Sequence, residues 1–235
     1  LGQSVCRRRD GCQTFGSYIP NSRTEGVVPD KKAVLQCRLA DASAATAYRE
    51  SCLDDEDRAR LLRAPELTGR TDWRVSRFLK QQGGKICSLS HSKGYAVVLV
   101  CDGDMVCGVD IEAVRPRDFR ALSEWVCSPE EQILLGRSGW DGETFYRLWC
   151  IKEALLKACG LDFPQDMAKV GYRTDGSTVY GLRADGGTGW HAVSAVWCGS
   201  MVVACVWRGA AELAWQYCGM ESYRELARIE RIGGK

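Results

Sequence analysis

The chain has 235 residues, of which 45% are hydrophobic and 26% are charged, and its net charge is +2. This length and hydrophobic content allow a buried core, in one large domain or in two smaller lobes. The small net charge argues against a nucleic-acid-binding protein, which needs excess Lys and Arg to neutralise phosphates. The apolar runs 95–101 and 201–207 are strand length, too short to span a membrane.

The 13 cysteines are odd in number, contain no C-x-x-C pair and are accompanied by two histidines. This pattern disfavours a zinc site and predicts reduced thiols in a cytoplasmic protein. Three arginines, Arg7–Arg9, are followed by no apolar run, so no signal peptide is predicted. Residues 1–30 are rich in Gly, Ser and Arg and are predicted to be disordered.

Two helices are predicted in the first half of the chain. The stretch 54–63 has acids first and arginines later, which is the charge order that a helix dipole favours. A second helix is predicted from Thr71 to Gln82, with Thr71 or Asp72 as N-cap and Gly83-Gly84 as the stop.

Two β-rich segments follow, at 95–101 and 105–112. The intervening Asp102-Gly103-Asp104 predicts that they form a hairpin. Just before them, Ser90-His91-Ser92 is interpreted as a flexible, donor-rich segment that enters the sheet and could hold phosphate. An ordinary turn is the alternative interpretation of such a tripeptide.

The second half begins with two predicted helices. Ser128 as N-cap, Pro129 at the first position and Glu131 in a capping box indicate a helix start. A longer helix is predicted over 143–159 and ends at Gly160.

Near the C-terminus, the apolar runs 191–197 and 201–207 predict a second hairpin with its turn at Gly199-Ser200. Small residues introduce an apolar strand in both GYAVVLVC and SMVVACVW. This similarity suggests a duplicated α+β unit.

Candidate metal ligands lie in the segment Gly108-Val109-Asp110-Ile111-Glu112. Because side chains alternate along a strand, Asp110 and Glu112 project from one face and Val109 and Ile111 from the other. Paired carboxylates suit Mg²⁺, which leaves its other positions to water and substrate phosphates. The alternative is an ordinary solvated strand face.

The helix 143–159 carries a second candidate group. Trp149, Glu153 and Lys157 are spaced four apart and form one stripe, which places a carboxylate and an ammonium on the same flank. These could bind metal and phosphate. Alternatively, Glu153 and Lys157 form a common helix-stabilising pair.

Taken together, the segments ICSLSHSKGYAVV, GVDIE, CSPEE and LWCIKEALLKACG resemble the Sfp-type (surfactin-type) 4′-phosphopantetheinyl transferases. The resemblance implies an α+β fold that is a pseudo-dimer of two similar lobes, with coenzyme A bound between them. We expect a first lobe at 31–104, a second lobe with the metal motifs at 105–235, and a monomer. The implied reaction moves 4′-phosphopantetheine from coenzyme A to a carrier-protein serine and releases adenosine 3′,5′-bisphosphate.

The resemblance also implies roles for individual residues. The implied Mg²⁺ ligands are Asp110, Glu112 and Glu153. The implied coenzyme A contacts are Ser90, His91, Lys157, Arg74, Arg58 and Lys85, although the spacer after Lys85 is shorter than in relatives. Candidates for the general base are Glu130, Glu153, a neutral Lys152 and a metal-bound water.

Carrier proteins of this family present an acidic helix, so a basic patch beside the cleft is expected. Arg115, Arg117 and Arg120 are the candidates, and a solvated loop is the alternative. Two other function classes stay open: an inactive carrier-binding module, and a Mg²⁺-dependent phosphohydrolase that would use the same carboxylates with water as nucleophile. No nucleic-acid or membrane partner is expected.

Overall fold

The computed structural model describes residues 33–219 and 225–233. The segment 1–30, predicted to be disordered, lies outside these residues. The described chain combines helices with largely antiparallel sheets, which confirms the α+β prediction. Its strands are β1 Ala33–Ala40, β2 Ile86–Ser92, β3 Tyr95–Cys101, β4 Cys107–Ala113, β5 Gly171–Thr174, β6 Val179–Arg183, β7 Trp190–Trp197, β8 Met201–Arg208, β9 Ala211–Tyr217 and β10 Leu226–Ile232. Its α-helices are α1 Asp55–Arg63, α2 Thr71–Lys80, α3 Phe119–Val126, α4 Pro129–Arg137 and α5 Gly142–Cys159.

The described strands form two four-stranded sheets and one two-stranded sheet. The first sheet has the order β2-β3-β1-β9 and the second has the order β10-β7-β8-β4. The small sheet pairs β5 with β6. In the first sheet β9 pairs with β1 in parallel, so that sheet includes a strand from the C-terminal part of the chain. The division into lobes at 31–104 and 105–235 stays a prediction.

The two large sheets pack face to face between helices. On β3, Val97 and Leu99 face the second sheet, whereas Val98 faces α2. On β4, Val109 and Ile111 enter the core between the sheets. The opposite face of the second sheet packs against α5, which contributes a separate apolar cluster. Strand alternation therefore turns Asp110 and Glu112 toward α5.

Most of the predicted helix boundaries are confirmed. Asp54 caps α1 by accepting a hydrogen bond from Asp57 N, and α4 begins with the predicted Ser128 capping box. Helix α5 ends at Gly160, which has a left-handed conformation with φ 63°. The predicted cap of α2 is wrong, because the N-cap is Arg70 and makes no side-chain cap bond.

The predicted hairpin between 95–101 and 105–112 is also wrong. Strand β3 pairs with β1 and β2, whereas β4 pairs with β8 in the other sheet. The Asp-Gly signal reports a change of direction and does not specify the partner of the next strand. The actual hairpin joins β2 to β3 through Lys93-Gly94, so Ser90-His91-Ser92 is part of an edge strand. The second predicted hairpin, β7 with β8, is confirmed.

Among the helices in the described ranges, none has both the length and the hydrophobicity that crossing a membrane would require.

Candidate active site

The candidate site lies where two edge strands meet below a helix. Strand β2 is an edge of the first sheet, β4 is an edge of the second, and α5 packs across β4. Gly108 makes this close approach possible, because a methyl group at position 108 would overlap the carbonyl oxygen of Ala154 on α5. The absence of a side chain at Gly108 therefore helps to bring α5 to the carboxylates of β4.

Asp110 is at the centre of the site. It is 4% exposed, and its Oδ1 accepts hydrogen bonds from Ser90 Oγ at 2.7 Å and from Lys157 Nζ at 2.8 Å. Its Oδ2 is buried and has no hydrogen-bond partner among the residues that the structure describes. A buried carboxylate oxygen without a donor is costly. Asp110 therefore has one oxygen occupied by protein donors and one available to a ligand.

Glu112 and Glu153 add negative charge around Asp110. Burial and the nearby Asp110 raise the pKa of Glu112, and Ser92 Oγ donates to its Oε2 at 2.9 Å. Burial, Asp110 and Glu112 raise the pKa of Glu153 to about 7, with Lys157 acting in the opposite direction. Burial and mutual repulsion thus disfavour the charged forms of these carboxylates, and Lys157 offsets only part of the effect.

These residues fit a divalent cation, although they do not form a preformed cage. Within the described residues, no three His, Cys, Asp or Glu side chains converge as a metal-binding group. Mg²⁺ commonly takes one or two protein carboxylates and completes its shell with water and substrate phosphates. The free Oδ2 of Asp110 and the like-charged Glu112 and Glu153 match such an open site.

His91 points away from Asp110 and toward α2. Its Nδ1 lies 3.1 Å from Oδ2 of Asp72, which also accepts a 2.9 Å bond from Arg70. Because a carboxylate only accepts hydrogen bonds, Nδ1 carries the proton in this contact, and Nε2 of the neutral ring is an acceptor. Burial lowers the pKa of His91, and Asp72 partly opposes this effect. The sequence analysis did not identify Arg70 and Asp72 as site residues. Both lie at the start of α2, and the sequence alone does not show that this end of the helix lies beside β2.

Lys152 is separate from the Asp110 cluster. Its side chain is fully buried, and its Nζ lies 2.9 Å from Glu131 Oε2, itself fully buried. The same Nζ donates to the carbonyl oxygens of Met167 at 2.8 Å and Val170 at 2.5 Å. Burial lowers the pKa of Lys152, and Glu131 opposes the shift. All three ammonium protons thus have acceptors inside the fold.

Three other predicted coenzyme A contacts have described partners outside the Asp110 cluster. Lys85 pairs with the exposed Asp104 at 2.5 Å and precedes β2 by one residue, so about 20 Å of strand separates it from His91. Arg58 pairs with Asp55 and lines a cavity of 700 Å³ beside α1, which contains none of the site carboxylates. Arg74 lies over the ring of Tyr48 at 5.7 Å.

Glu130 is exposed at the first turn of α4. Hydrogen bonds from its own backbone N–H and from the Ser128 side chain lower its pKa. Its carboxylate is therefore charged and accessible. It lines a separate surface cavity with Arg173 and Arg183.

A cavity of 280 Å³ adjoins Glu112 and is lined by basic and aromatic side chains. Its lining residues are Glu112, Arg115, Arg117, Leu122, Phe145, Tyr146 and Trp149. Trp149 also contacts Phe163, which contacts the 61% exposed Trp125. A basic cavity and an exposed aromatic patch are therefore continuous beside the carboxylates.

Comparisons with known proteins match this part of the chain. A family model described as the 4′-phosphopantetheinyl transferase superfamily matches residues 106–206. The 4′-phosphopantetheinyl transferase ffp of Bacillus subtilis is 32% identical over 112 residues, covering 43% of this chain and 49% of that protein. The 4′-phosphopantetheinyl transferase Sfp of B. subtilis strain 168 is 32% identical over 113 residues, with the same coverage. The 4′-phosphopantetheinyl transferase psf-1 of Bacillus pumilus is 35% identical over 74 residues, or 31% of each chain.

The chain thus spans half the length or less of these curated relatives. The matched segment 106–206 contains Asp110, Glu112, Glu153 and Lys157, which are the motif residues that α5 and β4 bring together. The Ser-His motif lies just before it on β2, hydrogen-bonded to Asp110. Motifs and matched segment together make this part of the chain similar to the 4′-phosphopantetheinyl transferase superfamily and to relatives of the Sfp type.

Proposed function

We propose that this chain transfers 4′-phosphopantetheine from coenzyme A to a serine of an apo acyl or peptidyl carrier protein and releases adenosine 3′,5′-bisphosphate. The observation that carries the proposal is the arrangement around Asp110, where Lys157 and Ser90 share one oxygen and the other oxygen has no partner within the described part of the chain. This arrangement offers both a cation for a phosphate and an anion for a metal ion. It lies at the segment that matches the family.

The side chains of the site would position the diphosphate of coenzyme A. Lys157 is about one-third exposed and can place its ammonium between Asp110 and a phosphate oxygen. Arg70 lies beside His91 on the side of β2 next to α2 and offers further donors to coenzyme A, whereas Nε2 of His91 could donate only from a protonated ring. The carrier serine oxygen would then bond to the β-phosphorus while the bond to the leaving phosphate oxygen breaks. Positioning and charge supply most of the catalysis in such a transfer.

Mg²⁺ held by Asp110, Glu112 and Glu153 would supply charge stabilisation at the phosphate oxygens. The chain must also provide a group that accepts the serine proton. Lys152 is unsuited because its ammonium is enclosed and bound to three internal acceptors. Glu153 with a pKa of about 7 and the exposed, ionised Glu130 are the candidates from the chain itself.

Replacing Glu130 with glutamine tests the second candidate. If Glu130 accepts the serine proton, turnover should fall by about a hundredfold, the usual scale of general-base catalysis, because glutamine cannot take up a proton. Turnover of carrier modification under saturating coenzyme A is the measurement. Glu124→Gln, an exposed change on α3, is the matched control. An unchanged rate for Glu130→Gln would leave Glu153 or a metal-bound water as the base.

The carrier protein is proposed to dock beside Glu112. Arg117 lines the basic cavity there, and Arg120 is exposed on α3 just beyond it. Trp149 and Phe163 connect this cavity to the exposed ring of Trp125. Basic side chains next to exposed aromatics suit an acidic helix with an apolar stripe.

Charge reversal tests this docking surface. Arg117→Glu with Arg120→Glu should raise the KM for the carrier protein about tenfold, and added salt should lower this KM where it raises that of the parent, because repulsion replaces attraction. The KM for coenzyme A should stay the same. The control variant Arg63→Glu/Arg231→Glu makes the same charge change at exposed positions elsewhere. Equal effects on both Michaelis constants would contradict the assignment.

The decisive experiment mixes the chain with coenzyme A, Mg²⁺ and an apo carrier protein and measures the mass of the carrier. A gain of one phosphopantetheine group supports the transferase. Hydrolysis of coenzyme A without any gain on several apo carriers would favour the phosphohydrolase, and carrier binding without chemistry would favour the inactive module. We further propose a cytoplasmic monomer, in keeping with the free thiols of the described cysteines.

A further inference from the structure

Three alternate serines of β2 face β4. Ser88, Ser90 and Ser92 share one face of the strand because side chains repeat every two residues. The two strands are edges of different sheets, and the hydroxyl groups of this serine row connect them. Val109 N donates to Ser88 Oγ at 3.1 Å, Ser90 Oγ donates to Asp110 at 2.7 Å, and Ser92 Oγ donates to Glu112 at 2.9 Å.

The three serine contacts differ in the group of β4 that each hydroxyl binds. Ser88 accepts from the backbone of β4 and has no hydrogen bond to a carboxylate in the described ranges. Ser90 and Ser92 each bind one oxygen of an acidic side chain, on alternate residues of β4. The serine row therefore has one contact that joins the strands and two that also orient carboxylates.

The bond to Ser92 restricts a carboxylate that could otherwise rotate. Glu112 is partly exposed, and its longer side chain has more rotamers than that of Asp110. With Oε2 bound to Ser92, the plane of the carboxylate and the direction of its other oxygen are restricted. Ser90 acts in the same way on Asp110, because its bond to Oδ1 leaves Oδ2 as the free oxygen. Partners of this kind set the orientation and the basicity of metal ligands.

We propose that Ser92 is a positioning residue that orients Glu112 toward the divalent cation, with Ser90 doing the same for Asp110. In this arrangement β2 sets the geometry of the metal ligands on β4, in addition to carrying His91. The importance of Ser92 for catalysis rests on the proposed metal-dependent transfer. Its effect on cation binding does not depend on that function.

The test is the binding of Mn²⁺ as a probe ion, measured by the loss of the free-ion electron paramagnetic resonance signal, with and without coenzyme A. Ser92→Ala should weaken Mn²⁺ binding by about tenfold or more, which is the usual effect of removing an outer-shell partner. Ser92→Thr keeps the hydroxyl and should restore most of the affinity. Ser88→Ala removes a contact of the same serine row that does not involve a carboxylate. Its Mn²⁺ affinity should stay within about twofold of that of the parent, a smaller change than the loss of an outer-shell partner causes.

Each outcome has a distinct meaning. Mn²⁺ affinity in Ser92→Ala equal to that of the parent would overturn the inference, as would equal weakening in Ser88→Ala. A higher KM for coenzyme A with unchanged Mn²⁺ affinity would assign Ser92 to the coenzyme A side and also overturn it. If the parent binds Mn²⁺ and Ser92→Ala does not, but neither modifies a carrier, the positioning role stands and the proposed transferase function fails.

Discussion

Asp110→Asn is expected to reduce carrier modification by about a hundredfold or more without unfolding the chain. Charge stabilisation by a bound metal ion is worth several kcal/mol, and each 1.36 kcal/mol changes a rate about tenfold. Asparagine keeps the shape of the side chain, and its oxygen can still accept from Ser90 and Lys157. The loss therefore removes charge and leaves the contacts in place.

The same substitution should leave the melting temperature unchanged or raise it in the absence of metal. Removing the charge of Asp110 relieves the repulsion that acts on Glu112 and Glu153. Lys157 loses its ionic partner, but its ammonium is partly exposed and can be solvated. Sites that gather like charges commonly exchange stability for function in this way.

A matched control is Asp104→Asn, which makes the same chemical change at a fully exposed residue paired with Lys85. Neither turnover nor melting temperature should change, because exposed ion pairs contribute little. Activity and thermal melting would be measured on the same preparations. Full activity in Asp110→Asn, or loss of activity that accompanies unfolding, would contradict the role assigned to Asp110.

The carboxylates were predictable because their placement depends on local periodicity. Alternation along β4 put Asp110 and Glu112 on one face, where Asp110 bonds to Lys157 of α5 and Glu112 bonds to Ser92 of β2. The spacing of four between Glu153 and Lys157 likewise put both residues on one flank, and both interact with Asp110. Each of these inferences needed no knowledge of distant parts of the chain.

The wrong predictions concern features that depend on residues far away in the sequence. Asp102-Gly103-Asp104 correctly marked a break between strands, but the sheet that each strand joins is decided by packing against β1 and β8. Lys152 is adjacent to Glu153 in the sequence, yet successive residues on a helix point about 100° apart. Lys152 therefore points into the fold, toward a partner, Glu131, that the sequence showed only as a cap of α4.

Lys152→Met is expected to be the most destabilising single change considered for this chain. Breaking a buried ion pair by removing one partner typically costs about 3–5 kcal/mol, because the remaining buried charge loses its nearest opposite charge. Here the Glu131 carboxylate would stay fully buried, and the carbonyl oxygens of Met167 and Val170 would lose a donor. For a chain of this size the melting temperature should fall by about 10 °C.

A second variant separates the loss of the pair from the loss of packing. Lys152→Met combined with Glu131→Leu removes the stranded carboxylate and should recover part of the stability. The recovery should be incomplete, because Glu131 also accepts from Ser128 N at 2.8 Å and Tyr172 N at 2.7 Å. Lys169→Met is the control, since Lys169 is exposed and its ammonium pairs with Asp166 three residues earlier.

The result also decides between the two interpretations of Lys152. If its role is structural, the Lys152→Met variant should melt at a lower temperature than the parent. At low temperature, its folded fraction should still modify the carrier at a rate close to that of the parent. If Lys152 were the base, stability would change little and turnover would fall at every temperature. The three internal acceptors of its ammonium favour the first outcome. Thermal melting and turnover corrected for the folded fraction would measure the two effects separately, so a loss of activity caused by unfolding would not be mistaken for a loss of chemistry.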